Sequence, residues 1–445
     1  MKKKINKKKK YFPIELILLK KNHLKKGKIK KNKKKMKEKT KENLEESQIE
    51  NPITNPIKYQ KLLSDPTTKA IILPPTLENI EECASYLLSN GIVGMPTETV
   101  YGLAANAYSV EACLKIFEYK GRPLTDPLIV HVSSIEMALS LTHLSQSEES
   151  LFYLLTKNFW PGPLTIVLKA NLDKLSTKIL AGSDCVGIRF PTHKVAQELI
   201  SISGVPIAAP SANKFCHISP VNPLHVFEDF REFPVKILNG GVTNFCMEST
   251  VMKINIENKE IIIFRMGAVS PDDIRKVLLN SEFNDFKIEC LAGKNKISQE
   301  EIKRKEKEME NDNFTISQDA PGQFLKHYSP KVETFLYSGN EGSFVKEILL
   351  SDNIVFIDYK ENLKKCFCGK NGVSDKNFIE LSVSGDPMET MKNFYDSLHN
   401  AEEIKNIKNI VICDLEMYME ENSHKLTLLD RMWKAASFKK VKINL

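Results

Sequence analysis

The chain has no Walker A loop, no G-x-G-x-x-G turn, no G-x-S-x-G elbow and no H-E-x-x-H pair. These absences exclude the familiar phosphate cradles, the α/β-hydrolase nucleophile and the zincin site. Any nucleotide chemistry would need another cradle. C-x-x-C is missing as well. The nine cysteines stand at 83, 113, 185, 216, 246, 290, 366, 368 and 413, and Cys366-Phe-Cys368 has no second pair of ligands nearby. Neither a disulfide framework nor a zinc site is expected, and a reducing compartment fits best. The apolar run near the start, YFPIELILL at 11–19, is too short to span a bilayer and contains Glu15. Lys20, Lys21 and Asn22 follow it where a secretory signal would want small residues. No membrane association and no internal repeat are expected.

Arginine is absent from residues 1–40, which hold 19 lysines against Glu15 and Glu38. That stretch carries a formal +17 and the remaining 405 residues carry −9. The overall +8 therefore describes a lysine-rich tail on a slightly acidic body. The acidic body argues against a large nucleic-acid face. The tail could give a weak, salt-sensitive RNA contact with little sequence information. A cytoplasmic location is expected. The basic, acid-poor tail leaves organellar targeting as the alternative, although the lack of arginine is unlike a mitochondrial presequence.

From residue 68 the pattern becomes one of alternating strands and helices. KAIILP (69–74), GIVGMP (91–96), PLIVHV (127–132), PLTIVLKA (163–170) and DCVGIRFP (184–191) read as strands. So do PIAAP (206–210), VKILNGG (235–241), STVMKIN (249–255) and EIIIFR (260–265). Apolar spacing predicts helices over 77–90, 109–121, 134–143, 147–158, 192–204 and 270–280, with Ser109, Thr192 and Ser270 as caps. The organisation expected is a lysine-rich extension (1–65), an α/β catalytic domain (66–280), a charged insert and linker (281–330) and a small α/β domain (331–445).

The chemistry-bearing residues gather in loops that follow strands, where open α/β folds hold ligands. The stretch 96–132 contains Thr97, Thr99 and Tyr101, then Lys120-Gly121-Arg122 at a helix end. Arginine can grip phosphate with two N–H groups, lysine adds a movable charge, and glycine lets the backbone come close. Alone, such a triplet reads more readily as a solvated helix end. Ser211-Ala212-Asn213 with Ser219, and Glu248-Ser249-Thr250 after Gly240-Gly241, supply further small polar groups. Arg189 and Arg265 stand at the ends of apolar strands, where each marks either a structural ion pair or an anion site.

In that order, PTETVYGLAANA, KGRPLTDPLIVHV, VGIRFP, APSAN, LNGG, ESTV and RMGAVS resemble the YrdC-like domain of threonylcarbamoyl-AMP synthases. APGQFLKHYSP (320–330) resembles the linker of the two-domain type, and the end of the chain with LLDRMWKAAS (428–437) resembles its C-terminal domain. The resemblance implies an α/β fold: a twisted mixed sheet with flanking helices and a concave basic cleft, followed by a smaller Rossmann-like domain. It implies condensation of L-threonine, bicarbonate and ATP to threonylcarbamoyl-AMP and pyrophosphate, with Mg²⁺ arriving on ATP. A partner transferase would then modify tRNA beside the anticodon. Lys120 and Arg122 would be catalytic. Thr99, Tyr101, His131, Arg189, Ala209 and Ser249 would meet threonine. Lys120, Arg122, Asp126, Cys185, Ser211, Asn213, Ser219, Arg265 and Tyr328 would meet ATP, with His327 beside Tyr328. No protein side chain is assigned to a metal. Three departures stand out: Asp126 where relatives often have Asn, Cys185 where Thr is usual, and Cys246-Met247 in place of small residues. An RNA-binding module of the same fold is the alternative. A carbamoyl-adenylating enzyme of hydrogenase maturation would want C-x-x-C pairs, which are missing.

Overall fold

The computed structural model describes residues 59–60, 63–291, 327–339 and 344–445. Most of the lysine-rich extension, the charged insert from 292 onward and the first half of the linker motif lie outside the described residues.

Among the described residues, eleven strands form one mixed sheet. They are β1 (Ile71–Leu73), β2 (Ile92–Met95), β3 (Gly102–Asn106), β4 (Val130–His131), β5 (Leu164–Lys169) and β6 (Cys185–Arg189), then β7 (Ile207–Ala208), β8 (Val235–Leu238), β9 (Thr250–Asn255), β10 (Glu260–Arg265) and β11 (Lys287–Cys290). Their order is β1-β8-β2-β3-β7-β4-β6-β5-β9-β10-β11. Five pairs are parallel (β1/β8, β2/β8, β4/β6, β5/β9, β10/β11) and the other five are antiparallel. The sheet continues past residue 280, because β11 adds onto β10. The helices are α1 (Leu77–Leu88), α2 (Val110–Lys120), α3 (Ile135–Ser140), α4 (Gln146–Phe159), α5 (Lys194–Ser203), α6 (Pro223–Phe230) and α7 (Pro271–Leu279).

Local chemistry explains most boundaries. Ser109 caps α2 by accepting from the Ala112 N–H, and Gly121 closes it in the left-handed region at φ 65°. Ser270 and Asp273 form a reciprocal capping box on α7. The expected strand 127–132 shrinks to β4. The expected cap Thr192 gives way to His193, which makes no side-chain cap; the Thr192 N–H is taken by Glu98 instead, at 3.1 Å. β3 has the sequence GLAAN, whose small residues give no strand signal. Its position between β2 and β7 supplies one, because buried pairing overrides propensity.

The C-terminal segment holds β12 (Glu333–Tyr337), β13 (Lys346–Leu349), β14 (Ile354–Asp358), β15 (Phe378–Glu380), β16 (Asn409–Cys413) and β17 (Val441–Asn444). β12, β16, β14 and β15 make a four-stranded parallel sheet, and β13 pairs with β17. Its helices are α8 (Asn362–Phe367), α9 (Pro387–Glu403), α10 (Leu415–Tyr418) and α11 (Lys425–Ala435). The core of this segment, with Phe335, Phe356, Phe394 and Leu428, also contains Val100, Ile218, Val221, Cys246 and Met247. The two larger residues at 246 and 247 are thus fully buried where the C-terminal segment packs on the loops of the first sheet. No described helix is long and apolar enough to cross a membrane.

Candidate active site

A narrow cavity of about 40 Å³ lies where these loops meet. Thr99, Tyr101, Arg122, His131, Arg189, Ala209, Ser211, Ser249, Arg265 and Tyr328 all line it. Lys120, Asp126, Cys185, Asn213 and Ser219 stand outside that lining.

The loop after β2 sets one wall. Thr97 Oγ1 donates to Val100 O at 2.6 Å and lies 2.9 Å from Thr99 Oγ1, which locks the turn. The Tyr101 hydroxyl donates to Gly241 O at 2.8 Å and accepts from Gly240 N–H at 2.9 Å. Tyr101 therefore offers the cavity its ring, while its hydroxyl holds the Gly-Gly turn. Burial pushes that phenol above its ordinary range.

Lys120 is the last residue of α2, and it acts on a loop. Its ammonium donates to Ser211 O at 2.6 Å and to Asn213 O. Asn213 in turn donates to His217 O at 2.8 Å. Burial and the nearby Arg122 hold the Lys120 ammonium well below its usual range. Ser211 reaches the cavity because Lys120 fixes the carbonyls around it. Cys185 begins β6 and donates its thiol to Asp184 Oδ1 at 3.3 Å. Burial raises its thiol.

Three guanidiniums converge on the cavity. Arg122 donates to Asp126 O at 3.2 Å and to Pro127 O at 2.8 Å, and its Nη2 lies 2.9 Å from Asp126 Oδ1. Arg189 donates to Glu98 Oε1 at 2.6 Å and Gly162 O at 3.3 Å. Arg265 donates to Ser249 O at 3.1 Å and Ser249 Oγ at 3.0 Å. Ser249 Oγ also sits 2.8 Å from Thr165 Oγ1. Burial lowers Arg122 and Arg265. His131 is pushed down to about 3 by burial and by Arg189, so it is neutral. Among the described residues, its Nδ1 and the Tyr328 hydroxyl have no hydrogen-bond partner. Tyr328 sits at φ 59° and is fully buried, with the Arg431 guanidinium 4.8 Å from its ring centre.

Sequence reasoning missed Glu98, Tyr395 and Arg431 and gave Glu248 no role. Glu98 stands between two threonines in an otherwise hydroxyl loop and pairs with Arg189 across 91 positions. An acid that close to an apolar strand end is a signal for a buried partner. Glu248 lines the cavity and accepts from Ser219, Tyr395 and Arg431. Among the described residues, no group of three or more His, Cys, Asp or Glu side chains could hold a metal ion.

A cavity lined by arginines and hydroxyls, with no cysteine at its wall among the described residues, suits binding of an anionic ligand. Comparison with known proteins agrees. A family model described as telomere recombination matches residues 85–267, and one described as threonylcarbamoyl-AMP synthase, C-terminal domain, matches residues 269–437. The threonylcarbamoyl-AMP synthase of Pyrococcus abyssi is 31% identical over 372 residues, 82% of this chain and 98% of that protein. That of Schizosaccharomyces pombe is also 31% identical, covering 82% of this chain and 91% of its own length. The crystal structure of P. abyssi Sua5 complexed with L-threonine superposes with a TM-score of 0.63 at 27% identity, covering 84% of this chain and 99% of that one. The chain belongs to the threonylcarbamoyl-AMP synthase family.

Proposed function

We propose that the chain condenses L-threonine, bicarbonate and ATP to threonylcarbamoyl-AMP, pyrophosphate and water. The observation that carries this reading is the convergence of Arg122, Arg189 and Arg265 on one cavity that also presents hydroxyls, the neutral His131 imidazole and a single carboxylate, Glu248, among the described residues. The threonine amine and bicarbonate give a carbamate. A carbamate oxygen attacks the α-phosphorus of ATP, and the bond to the β-phosphate oxygen breaks. The nucleophile comes from the substrates, so the protein's part is positioning and charge stabilisation.

Arg189 would hold the threonine carboxylate, with Thr99, the Tyr101 ring, Ala209 and neutral His131 around the side chain and amine. A neutral imidazole suits this place, because an imidazolium would repel the amine and add a competing charge. Arg122 and Arg265 would meet the phosphates with Ser211, and Ser249 would meet the threonine end. Lys120 and Asn213 would act by shaping the serine loop, and Ser219 by fixing Glu248. ATP enters as its Mg²⁺ complex, so the metal belongs to the substrate. His327 and Tyr328 line the same cavity and would lie against the nucleotide. The product is a reactive mixed anhydride, which a transferase would pass to adenosine beside the anticodon of tRNA. The lysine-rich tail would supply at most a weak RNA contact.

The test is pyrophosphate release from ATP by purified protein, with threonine and bicarbonate omitted in turn. Release should need both. Release that continues unchanged without threonine would sink the reading.

A further inference from the structure

The C-terminal segment reaches the cavity wall through one cation. Arg431 on α11 is fully buried. Its Nε donates to Glu248 Oε2 at 2.9 Å, Nη2 donates to Met266 O at 2.7 Å, and Nη1 pairs with Asp430. Tyr395 on α9 donates to the same carboxylate, 2.9 Å from Oε2 and 3.1 Å from Oε1. Ser219 Oγ donates to Oε1 at 2.6 Å. Both oxygens of Glu248 are therefore held by donors, with α9 and α11 of the C-terminal segment supplying most of them.

A carboxylate in the wall of an anion pocket is a liability. Glu248 and Arg265 line the same cavity, and each feels the other's charge. In contact, the two would form an ion pair that competes with any incoming phosphate. They do not pair: Arg265 donates to Ser249 through Nε and Nη2, and among the described residues it forms no salt bridge with a carboxylate. The cation that keeps Glu248 occupied is Arg431, 183 positions away, alongside the Tyr395 and Ser219 hydroxyls.

We propose that Arg431 is a positioning residue that holds Glu248 off Arg265, and so leaves the Arg265 guanidinium to receive the anionic leaving group of the substrate. The C-terminal segment is then part of the anion site without touching substrate. The inference deepens the adenylation reading, on which it rests for the identity of the anion as the pyrophosphate portion of ATP. It predicts an unusual genetic logic. Loss of Arg431 should weaken anion binding by releasing Glu248 onto Arg265. Neutralising Glu248 in that background should restore binding, although it removes a second polar residue from the same buried cluster. A merely structural role for Arg431 predicts further loss instead.

The experiment titrates inorganic pyrophosphate into the full chain by calorimetry, for the natural protein, Arg431→Met, and Arg431→Met with Glu248→Gln. Circular dichroism checks folding of each. Arg431→Met should weaken pyrophosphate roughly tenfold and raise the KM for ATP more than it lowers kcat. The added Glu248→Gln should recover most of that loss. No loss in the single variant, no recovery in the double variant, or no pyrophosphate binding by the natural protein would each overturn the proposal. Where Arg431→Met fails to fold, Arg431→Lys with and without Glu248→Gln reads the same quantity. A single ammonium cannot reach both Glu248 and Met266 O as the guanidinium does, so a smaller loss with the same recovery is expected. Pyrophosphate binding that follows this pattern in a protein that releases none from ATP and threonine would count against the adenylation reading while supporting the role of Arg431.

Discussion

Asp126 and Glu248 are both buried carboxylates beside an arginine, and they are pushed in opposite directions. Asp126 is fully buried, 2.9 Å from Arg122 Nη2, yet its carboxyl is raised above its usual range by burial against the pull of Arg122. Glu248 is nearly as buried; burial would raise it too, but Arg431, Arg265 and Ser219 outweigh that and hold it below its usual range. The two sites differ in the charges around them and also in hydrogen bonding. Arg122 aims its N–H groups at the carbonyls of Asp126 and Pro127, and neither Asp126 carboxylate oxygen accepts a hydrogen bond from the described residues. Glu248 accepts from Ser219, Tyr395 and Arg431. At Asp126 burial outweighs the nearby cations, whereas at Glu248 two arginine charges and the Ser219 hydroxyl together outweigh burial.

The sharpest way to break this comparison is to neutralise each acid. Glu248→Gln breaks the buried pair with Arg431, leaves Asp430 as the one carboxylate on that guanidinium among the described residues, and should cost about 3–5 kcal/mol of stability, read from the urea midpoint of the full chain. A loss below about 1 kcal/mol would mean that the donors around Glu248 contribute little. Next in size, Arg122→Ala should lower kcat/KM for pyrophosphate release by about 2–4 kcal/mol in transition-state terms. Its folding cost should be smaller than that of Glu248→Gln, because the acid left behind can take up a proton. A third effect concerns a cation held between two acids. His217 sits 2.9 Å from Asp229 and 2.8 Å from Glu402, with His399 and Lys331 also near, and its pKa is raised to about 9. Burial works against that shift, and the hydrogen bonds to the two acids overcome it. A raised folded pKa contributes stability that is complete below the ordinary histidine range and is lost as pH rises through about 9. Thermal melts should therefore show about 2 kcal/mol of extra stability at pH 6 over His217→Gln, fading by pH 10. The smallest effect expected is Asp126→Asn, within about 1 kcal/mol in either direction at neutral pH. Its pH dependence should oppose that of Glu248. Asp126 binds its proton more tightly when folded, so its contribution favours folding at low pH and is lost as pH rises through its raised value. Glu248 binds its proton less tightly when folded, so its contribution is present above the ordinary range and is lost as pH falls through its depressed value. Melts of the two amide variants against pH should diverge in these two directions.

The same contrast separates what could be read in the sequence from what could not. Asp126 and Arg122 lie four positions apart, within one motif, and their meeting follows from the chain's local path. The caps at Ser109 and Ser270 and most strand runs were equally legible, since their causes are local. Arg431 and Tyr395 gave no such sign, because their partner lies 183 and 147 positions away and only the packing of α9 and α11 on the first sheet brings them together. β3 escaped for a related reason: small residues become a strand through neighbours that are distant in sequence. Gly267 belongs to this group too. A methyl group there would stand 2.3 Å from Thr250 N and 2.4 Å from Glu248 O, a crowding that no pattern near RMGAVS reveals.

The span between Glu248 and Arg431 also has a meaning in time. At synthesis rates of about 5–20 residues per second, the 183 intervening positions take roughly 10–40 s to make. From residue 290 until residue 431 is made, the nascent chain carries the strands of its large sheet and the three cavity arginines, but not Arg431, which restrains Glu248. The pocket is thus completed only when the last helix is delivered, and an unfinished chain would hold an anion site closed by its own carboxylate.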